Sequence, residues 1–292
     1  MDDLKRYEEL VKTVEYHNDR YYNQDDPEIS DYEYDMMMKE LKKIEKDHPE
    51  FVTPNSPTQH VGGSAKREAG VLVRHRVPML SLQDVFSKEE VQDFVKSMQE
   101  TLVDPVFVVE YKIDGLSMAL RYENGLLTTA ITRGDGIIQG EDVTVNAKVI
   151  KDVKNKLKEP IEYLEVRGEV YMRKSVLENV NKKREKEVQE LNNKKTFANP
   201  RNCAAGTLRQ LDSRITKQRN LSMFIFNIQD IRGKEITSHS QGYEYLKIQG
   251  MKVIDNYQVC HNFEEVWKAI EMIGESRDQL GYDIDGAVVK ID

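Results

Sequence analysis

The sequence has little cysteine, a single tryptophan and no long apolar run. Cys203 and Cys260 are its only cysteines, and no CxxC spacing occurs. That excludes a disulfide framework and a cysteine-built zinc site, and it fits a reducing compartment. No stretch approaches the roughly 18 apolar residues of a membrane-spanning helix, so no membrane partner is expected. The opening MDDLKRYEEL lacks the basic-then-apolar order of a secretory leader, and the expected location is the cytoplasm. An excess of positive charge is also missing. The net charge is −8, and the first 50 residues, with 16 acids and 8 bases, account for all of it. Non-specific affinity for nucleic acid comes from Lys and Arg neutralising phosphates. A free-standing DNA binder is therefore not expected without a local basic surface or further modules. What is present, 32% charged and 39% hydrophobic residues over 292 positions, describes a globular chain of one large or two modest domains.

Organisation follows from periodicity and punctuation. Leu4, Tyr7, Val11, Val14 and Tyr21 predict a helix over 3–22. NQDDPE interrupts it. Ser30 with Glu33 forms a capping box that opens a helix to about Asp47. PEFVTPNSPTQHVGGS, with three prolines and Gly62-Gly63, reads as a linker closing a small helical unit over 1–62. Residues 63–292 make the second unit. Ser87 and Glu90 open a helix to about Leu102. Strands are expected at 106–112, 116–122, 126–132, 163–172, 221–228 and 286–291, the second and third joined by an Asn-Gly hairpin turn. Helices are expected at about 174–193, 240–249 and 263–274. Hairpins mixed with helices imply an α+β domain built on a mainly antiparallel sheet.

One strand carries an unusual charge pattern. VFVVEYKIDG begins as a core strand and ends with Glu110, Lys112 and Asp114 at alternate positions. Side chains alternate across a strand, so these three share a face opposite Val109, Tyr111 and Ile113. Such a lysine can be a nucleophile if desolvation or nearby positive charge favours its neutral amine. Flanking carboxylates act the other way, and make sense beside a metal or a cationic cofactor, or as readers of a ligand. An edge strand with a surface ion pair is the competing reading.

EYKIDG resembles the motif of the AMP-accepting lysine in covalent nucleotidyltransferases, the superfamily of DNA ligases, RNA ligases and mRNA-capping enzymes. EVRGEVYM resembles its downstream glutamate motif, and DIDGAVVKID its later lysine strand, in the expected order. YYNQDDPEISDYEYD, SPTQHVGG, VPMLSL, TRGDG…GEDVT and FANPRNCAAGTLRQLD narrow the resemblance to bacterial NAD-dependent DNA ligases, over essentially the whole chain. The resemblance is to their N-terminal adenylation region. The family's OB-fold, zinc-finger, helix-hairpin-helix and BRCT modules and its last lysine motif have no counterpart in these residues. Tyr22 stands where the family often has His, and GDGIIQGED is one residue longer than the family's usual loop.

The resemblance implies a helical NMN-recognition subdomain followed by a nucleotidyltransferase (ATP-grasp-like ligase) domain. It makes Lys112 the nucleophile on the α-phosphate of NAD, leaving lysyl-AMP and releasing nicotinamide mononucleotide (NMN). Lys290 is the implied second cation at the phosphates. Mg²⁺ is implied, held mainly by phosphate oxygens and water, with Asp114, Glu169 and Asp285 as candidates around it; no metal ligand is assigned. Glu110 would accept from the adenine amino group, Glu169 would hold the ribose, and Ser81 and Leu82 would line the nucleotide pocket. Asp31, Tyr34 and Asp35 share a helix face. With Tyr21 and Tyr22, they would grip the cationic nicotinamide ring. Arg133 is a candidate for ribose and nick-phosphate contact, and Arg201 and Arg209 for DNA phosphates. The partner implied is nicked double-stranded DNA, bound weakly by these residues alone, by a monomer. An ATP-dependent nucleotidyltransferase and a non-catalytic NAD- or NMN-binding module are the alternatives.

Overall fold

A computed structural model describes residues 2–18, 20, 28–29, 31–53, 56–58, 71–134, 136–191, 196–254 and 256–292. The chain divides into two compact units, Met1–Gly70 with Lys183–Phe197, and Val71–Lys182 with Ala198–Asp292.

The first unit is built on α1 (Asp2–Asn18) and α2 (Asp31–Asp47). Tyr7, Leu10, Val14 and Leu41 are buried together, with Met37, Met38, Ile44 and Phe51 packed against them. The buried stripe of α1 thus runs through Tyr7, Leu10 and Val14. Leu4, expected on that face, is exposed in the first turn, and Val11 is only partly buried. Arg6 clamps Glu40 of α2 with two bonds of 2.8 and 2.9 Å. The buried Glu45 accepts from Tyr7 and Ser56. Helix α1 is described as far as Asn18, and residues 21–22 of the expected helix, Ser30 and the Gly62-Gly63 pair lie outside the described residues.

The second unit contains three antiparallel sheets. A central strand β2 (Phe107–Ile113) lies between β8 (Gln258–Cys260) and β9 (Ile284–Ile291). A four-stranded sheet has the order β4 (Leu126–Thr132), β3 (Leu116–Glu123), β6 (Tyr163–Tyr171) and β7 (Ser222–Arg232). A small ribbon pairs β1 (Leu72–Arg74) with β5 (Gln139–Glu141). Helix α3 (Lys88–Thr101) starts at the expected capping box: Ser87 Oγ accepts from Glu90 N at 3.1 Å, and Glu90 accepts in return from Ser87 N at 3.0 Å. Then come α4 (Thr144–Ala147), α5 (Lys174–Leu191, of which the residues from Lys183 on are assigned to the first unit), α6 (Pro200–Leu208), α7 (Ser213–Gln218), α8 (His239–Ile248) and α9 (Phe263–Ser276). The architecture is α+β with antiparallel sheets, as the hairpin pattern implies.

Asn124 and Gly125 turn the β3–β4 hairpin with φ of 50° and 74°, the positive pair that suits the twist of the flanking strands. Gly115 sits so close to β6 that a Cβ there would lie 2.2 Å from the Val170 carbonyl oxygen. Gly115 thus lets the chain's own backbone approach closely at this point. Strand β7 runs four residues beyond its expected end at 228. The strands β1, β5 and β8 were not expected, since three residues form a strand only when a distant partner supplies the ladder. Helix α6 did carry a local start signal. Asn199 caps it, accepting from Asn202 N at 2.8 Å, and Pro200 takes the first position.

Candidate active site

Lys112 is the penultimate residue of β2, and the register against β9 shifts between Lys112 and Ile113. There Lys112 Nζ donates to Asp285 Oδ2 at 3.0 Å, and both side chains are 39% exposed. The lysine's closest carboxylate thus comes from the paired strand. Asp114 lies just past the strand end, its N–H on the Asp283 carbonyl at 3.0 Å, and its carboxylate pairs with Arg201 of α6 at 3.4 Å. Burial raises the Asp114 carboxyl above its ordinary range, and the neighbouring Asp285 adds to this. Glu110 differs from expectation more sharply. It shares a strand face with Lys112, as alternation requires, but it is 1% exposed, so that face is covered rather than presented at Glu110.

The second sheet meets this strand end. Ser117 on β3 stands opposite Glu169 on β6 and donates to its Oε2 at 2.7 Å. Arg167, on the same face two residues earlier, donates to Leu80 O at 3.0 Å and to Ser117 Oγ at 3.4 Å. Burial pushes the half-buried Glu169 carboxyl up to about 7, against the pull of Ser117, Arg167, Arg201 and Lys112. An unfolded glutamate ionises near 4.5. Between these values the folded state binds more protons, so the stability from Glu169 is full below about pH 4.5 and is lost as pH rises through about 7. Glu169→Gln should therefore gain stability relative to the wild type on going from about pH 5 to about pH 8. Urea unfolding at the two pH values tests this. A difference that does not change with pH would show that Glu169 titrates normally.

Arg133, at the end of β4, donates through Nε to Met79 O at 3.1 Å and through its outer nitrogen to Ser81 Oγ. Its backbone is held by Ser117 O at 3.1 Å and by the His75 ring at 2.8 Å. Arg133 and Arg167 together fix segment 79–81, and Leu82 beyond it is exposed.

A buried network lies deeper between the sheets. Glu110 accepts from Lys290 of β9 and from Tyr243 of α8. Lys290 also donates to Phe226 O on β7 at 3.0 Å, and its ammonium lies 5.2 Å from the Phe226 ring centre. Arg167 sits 5.4 Å from the same ring centre. His239 Nε2 is 3.5 Å from Glu110 and 3.4 Å from Lys290. Burial would raise the Glu110 carboxyl, but the His239, Lys290 and Tyr243 contacts hold it below the ordinary range. Lys290, expected with Lys112 at the phosphates, is hydrogen-bonded to Glu110. Register accounts for that contact: Lys290 pairs with Val108, two residues from Glu110 and four from Lys112 along β2.

The structure therefore brings together Lys112, Asp285, Asp114, Arg201 and Glu169, and, beside them, Ser81 with Arg133 and Glu110 with Lys290. Arg209 is engaged by Glu141 at 2.8 Å. Tyr21 and Tyr22 lie outside the described residues, and Asp31, Tyr34 and Asp35 open α2 with side chains outside the described part. Sequence reasoning missed Ser117, Arg167, His239 and Tyr243. Arg167 was findable, since strand alternation puts it on the Glu169 face of EVRGEVYM. A cavity of about 470 Å³, lined by residues such as Asn227, Ile231, Thr237 and Asp292 and bordered by His239 and Tyr243 of the Glu110 network, includes none of the expected site residues. Among the described residues no group of three or more His, Cys, Asp or Glu is placed to hold a metal. Asp114 and Asp285 are ion-paired and Glu169 is hydrogen-bonded to Ser117. They form no cage, which suits an ion carried by phosphate oxygens and water.

An amine near a strand end, with carboxylates beside it and arginines from α6 and the four-stranded sheet close by, is an arrangement suited to nucleophilic chemistry on a phosphate ester. Residues 70–292 match the family model of the NAD-dependent DNA ligase adenylation domain, and residues 1–62 match that of the DNA ligase-like, N-terminal NAD+-binding domain. The chain belongs to the NAD-dependent DNA ligase adenylation domain family. It is 53% identical over 292 residues to a DNA ligase of Clostridium kluyveri, covering all of this chain and 43% of that protein. It is 50% identical over 291 residues to a DNA ligase of Thermoanaerobacter pseudethanolicus, again covering 43% of it. A DNA ligase of Clostridioides difficile is 46% identical over 283 residues, 97% of this chain and 41% of that one. The chain thus spans less than half the length of these relatives. Among the described residues no helix is long and apolar enough to cross a membrane.

Proposed function

We propose that this chain captures AMP from NAD on Lys112. The Nζ lone pair attacks the α-phosphorus, a P–N bond forms, and the P–O bond to the NMN phosphate breaks, with the electron pair leaving on NMN. The observation that carries this reading is the 3.0 Å contact of Lys112 with Asp285 beside Asp114, Arg201 and Glu169. Asp285 is the nearest acceptor for the proton that Lys112 must lose. The arginines at Glu169 and Ser81 supply positive charge where phosphate charge develops. Mg²⁺, when bound, neutralises phosphate charge, with Asp114, Glu169 and Asp285 around it.

The Glu110–Lys290 pair offers an acceptor beside a donor. That matches the adenine edge, whose amino group donates and whose N1 accepts. Glu169 receives the ribose hydroxyls, with Ser81, Leu82 and Arg133 along the nucleotide. Residues 1–62 serve as the NMN-recognition unit through Asp31, Tyr34, Asp35, Tyr21 and Tyr22, and 63–292 as the adenylation domain. Transfer of AMP to the 5′-phosphate of nicked double-stranded DNA, with Arg201 and Arg209 toward the DNA, belongs to this reading. DNA binding by these residues alone is weak, and the protein works as a cytoplasmic monomer.

The test is intact mass after incubation with Mg²⁺ and either NAD or ATP. An AMP adduct from NAD and none from ATP is expected. An adduct from ATP would overturn the role given to residues 1–62. Neither an adduct nor bound NAD would overturn the function.

A further inference from the structure

Glu110 and Lys290 could recognise a base edge only if their atoms hold still, and a carboxylate on a flexible side chain turns freely unless both oxygens are fixed. Lys290 fixes Oε1. For Oε2 the strong donor is the Tyr243 phenol at 2.5 Å. That phenol has one proton, and a second acceptor, Phe226 O, lies 2.8 Å away. The carboxylate is the nearer and the charged acceptor, and charge-assisted bonds are the stronger ones, so the phenol proton goes to Glu110. The Tyr243 ring is itself closely packed. It is 1% exposed, with His239 edge-on at 4.4 Å and Tyr257 tilted at 4.9 Å between centroids. Burial, and then Glu110, raises the phenol's pKa well above its ordinary value, so it remains a donor at any working pH.

We infer that Tyr243 is a positioning residue that sets base specificity: its hydroxyl locks the Glu110 carboxylate so that Glu110 and Lys290 accept an adenine edge and reject one with donor and acceptor exchanged. The inference rests on the proposed placement of adenine at this pair. Its natural probe is nicotinamide hypoxanthine dinucleotide. In hypoxanthine a carbonyl oxygen replaces the amino group and N1 carries a proton, so an acceptor faces Glu110 and a donor faces Lys290. A site with fixed polar groups discriminates strongly against such a reversal, because each buried group is left facing its own kind.

The experiment measures kcat/KM for adduct formation with NAD and with the hypoxanthine analogue, in the wild type, Tyr243→Phe and Glu110→Gln, with calorimetric affinities for both dinucleotides. Phenylalanine keeps the ring and removes only the hydroxyl. The NAD-to-analogue ratio should fall about tenfold in Tyr243→Phe, mostly through KM for NAD, as expected for one lost bond to a charged group. A ratio cancels the fraction of folded protein, so a variant that merely loses stability leaves it unchanged. An unchanged ratio in Tyr243→Phe, with a collapsed ratio in Glu110→Gln, overturns the role of Tyr243 alone. An unchanged ratio in Glu110→Gln overturns the adenine placement, and the inference falls with it.

Discussion

Lys112→Ala forms no AMP adduct from NAD, while NAD binding stays within a few-fold of wild type. The amine is the atom that becomes covalently linked, so its removal costs the whole chemical step, at least about a thousandfold in rate. Lys112→Arg should fail as completely. Arginine can keep the ion pair with Asp285, but its guanidinium stays protonated and has no lone pair to offer. The comparison separates charge from nucleophilicity, because only the second is lost in both variants. Folding should hardly change. The Lys112–Asp285 pair is 39% exposed on both sides, and such pairs contribute about 0–1 kcal/mol. Intact mass with NAD reads the first quantity, and calorimetry with NAD the second. An adduct persisting in Lys112→Ala would move the nucleophile to another side chain and end the proposed mechanism.

Glu165→Ala should destabilise the second unit by about 3–5 kcal/mol, since it leaves a buried guanidinium without its counter-charge. Arg121 on β3 and Glu165 on β6 stand directly opposite each other in the ladder. Arg121 Nε donates to Glu165 Oε2 at 2.9 Å, with side-chain exposures of 6% and 0%. Tyr163 donates to the same oxygen at 2.5 Å, and Arg121 also reaches Arg74 O at 3.0 Å. Burial, then Glu165, carries the Tyr163 phenol up to about 12, so it too remains a donor. Replacing Arg121 and Glu165 together by Met and Leu should recover most of the loss, because an apolar pair carries no desolvation cost. Urea unfolding of the three variants measures both effects. A loss below about 1 kcal/mol for Glu165→Ala would show that water reaches Arg121.

These two pairs differ in how far they could be read in advance. The Lys112 strand announces itself because charge at alternate positions breaks an apolar run. The Arg121–Glu165 pair gives no such signal. Arg121 ends an apolar run before Tyr122, Glu165 alternates with Leu164 and Val166, and each reads as an ordinary strand charge. Only the β3–β6 register makes them partners. Helix α8 is similar. His239 and Tyr243 are four apart and share a helix face, but nothing within SHSQGYEYLK points to a carboxylate on β2. Lys290 illustrates a motif residue whose place in the order was legible and whose neighbour was not.

The sequence by itself determined the α+β class, most of the long elements, the hairpin at Asn124-Gly125, the cap at Ser87 and the candidacy of Lys112. All of these rest on spacing within a few residues, where helix and strand periods and capping chemistry act locally. The tertiary structure decided that Asp285 faces Lys112, that Arg201 takes Asp114, that Lys290 joins Glu110, and that Tyr243 closes that network. It also decided which carboxylates ionise abnormally, Glu169 above all. Those outcomes depend on strand register and on removal from water. Both come from residues distant in sequence, and a one-residue change of register would reverse every face they rely on.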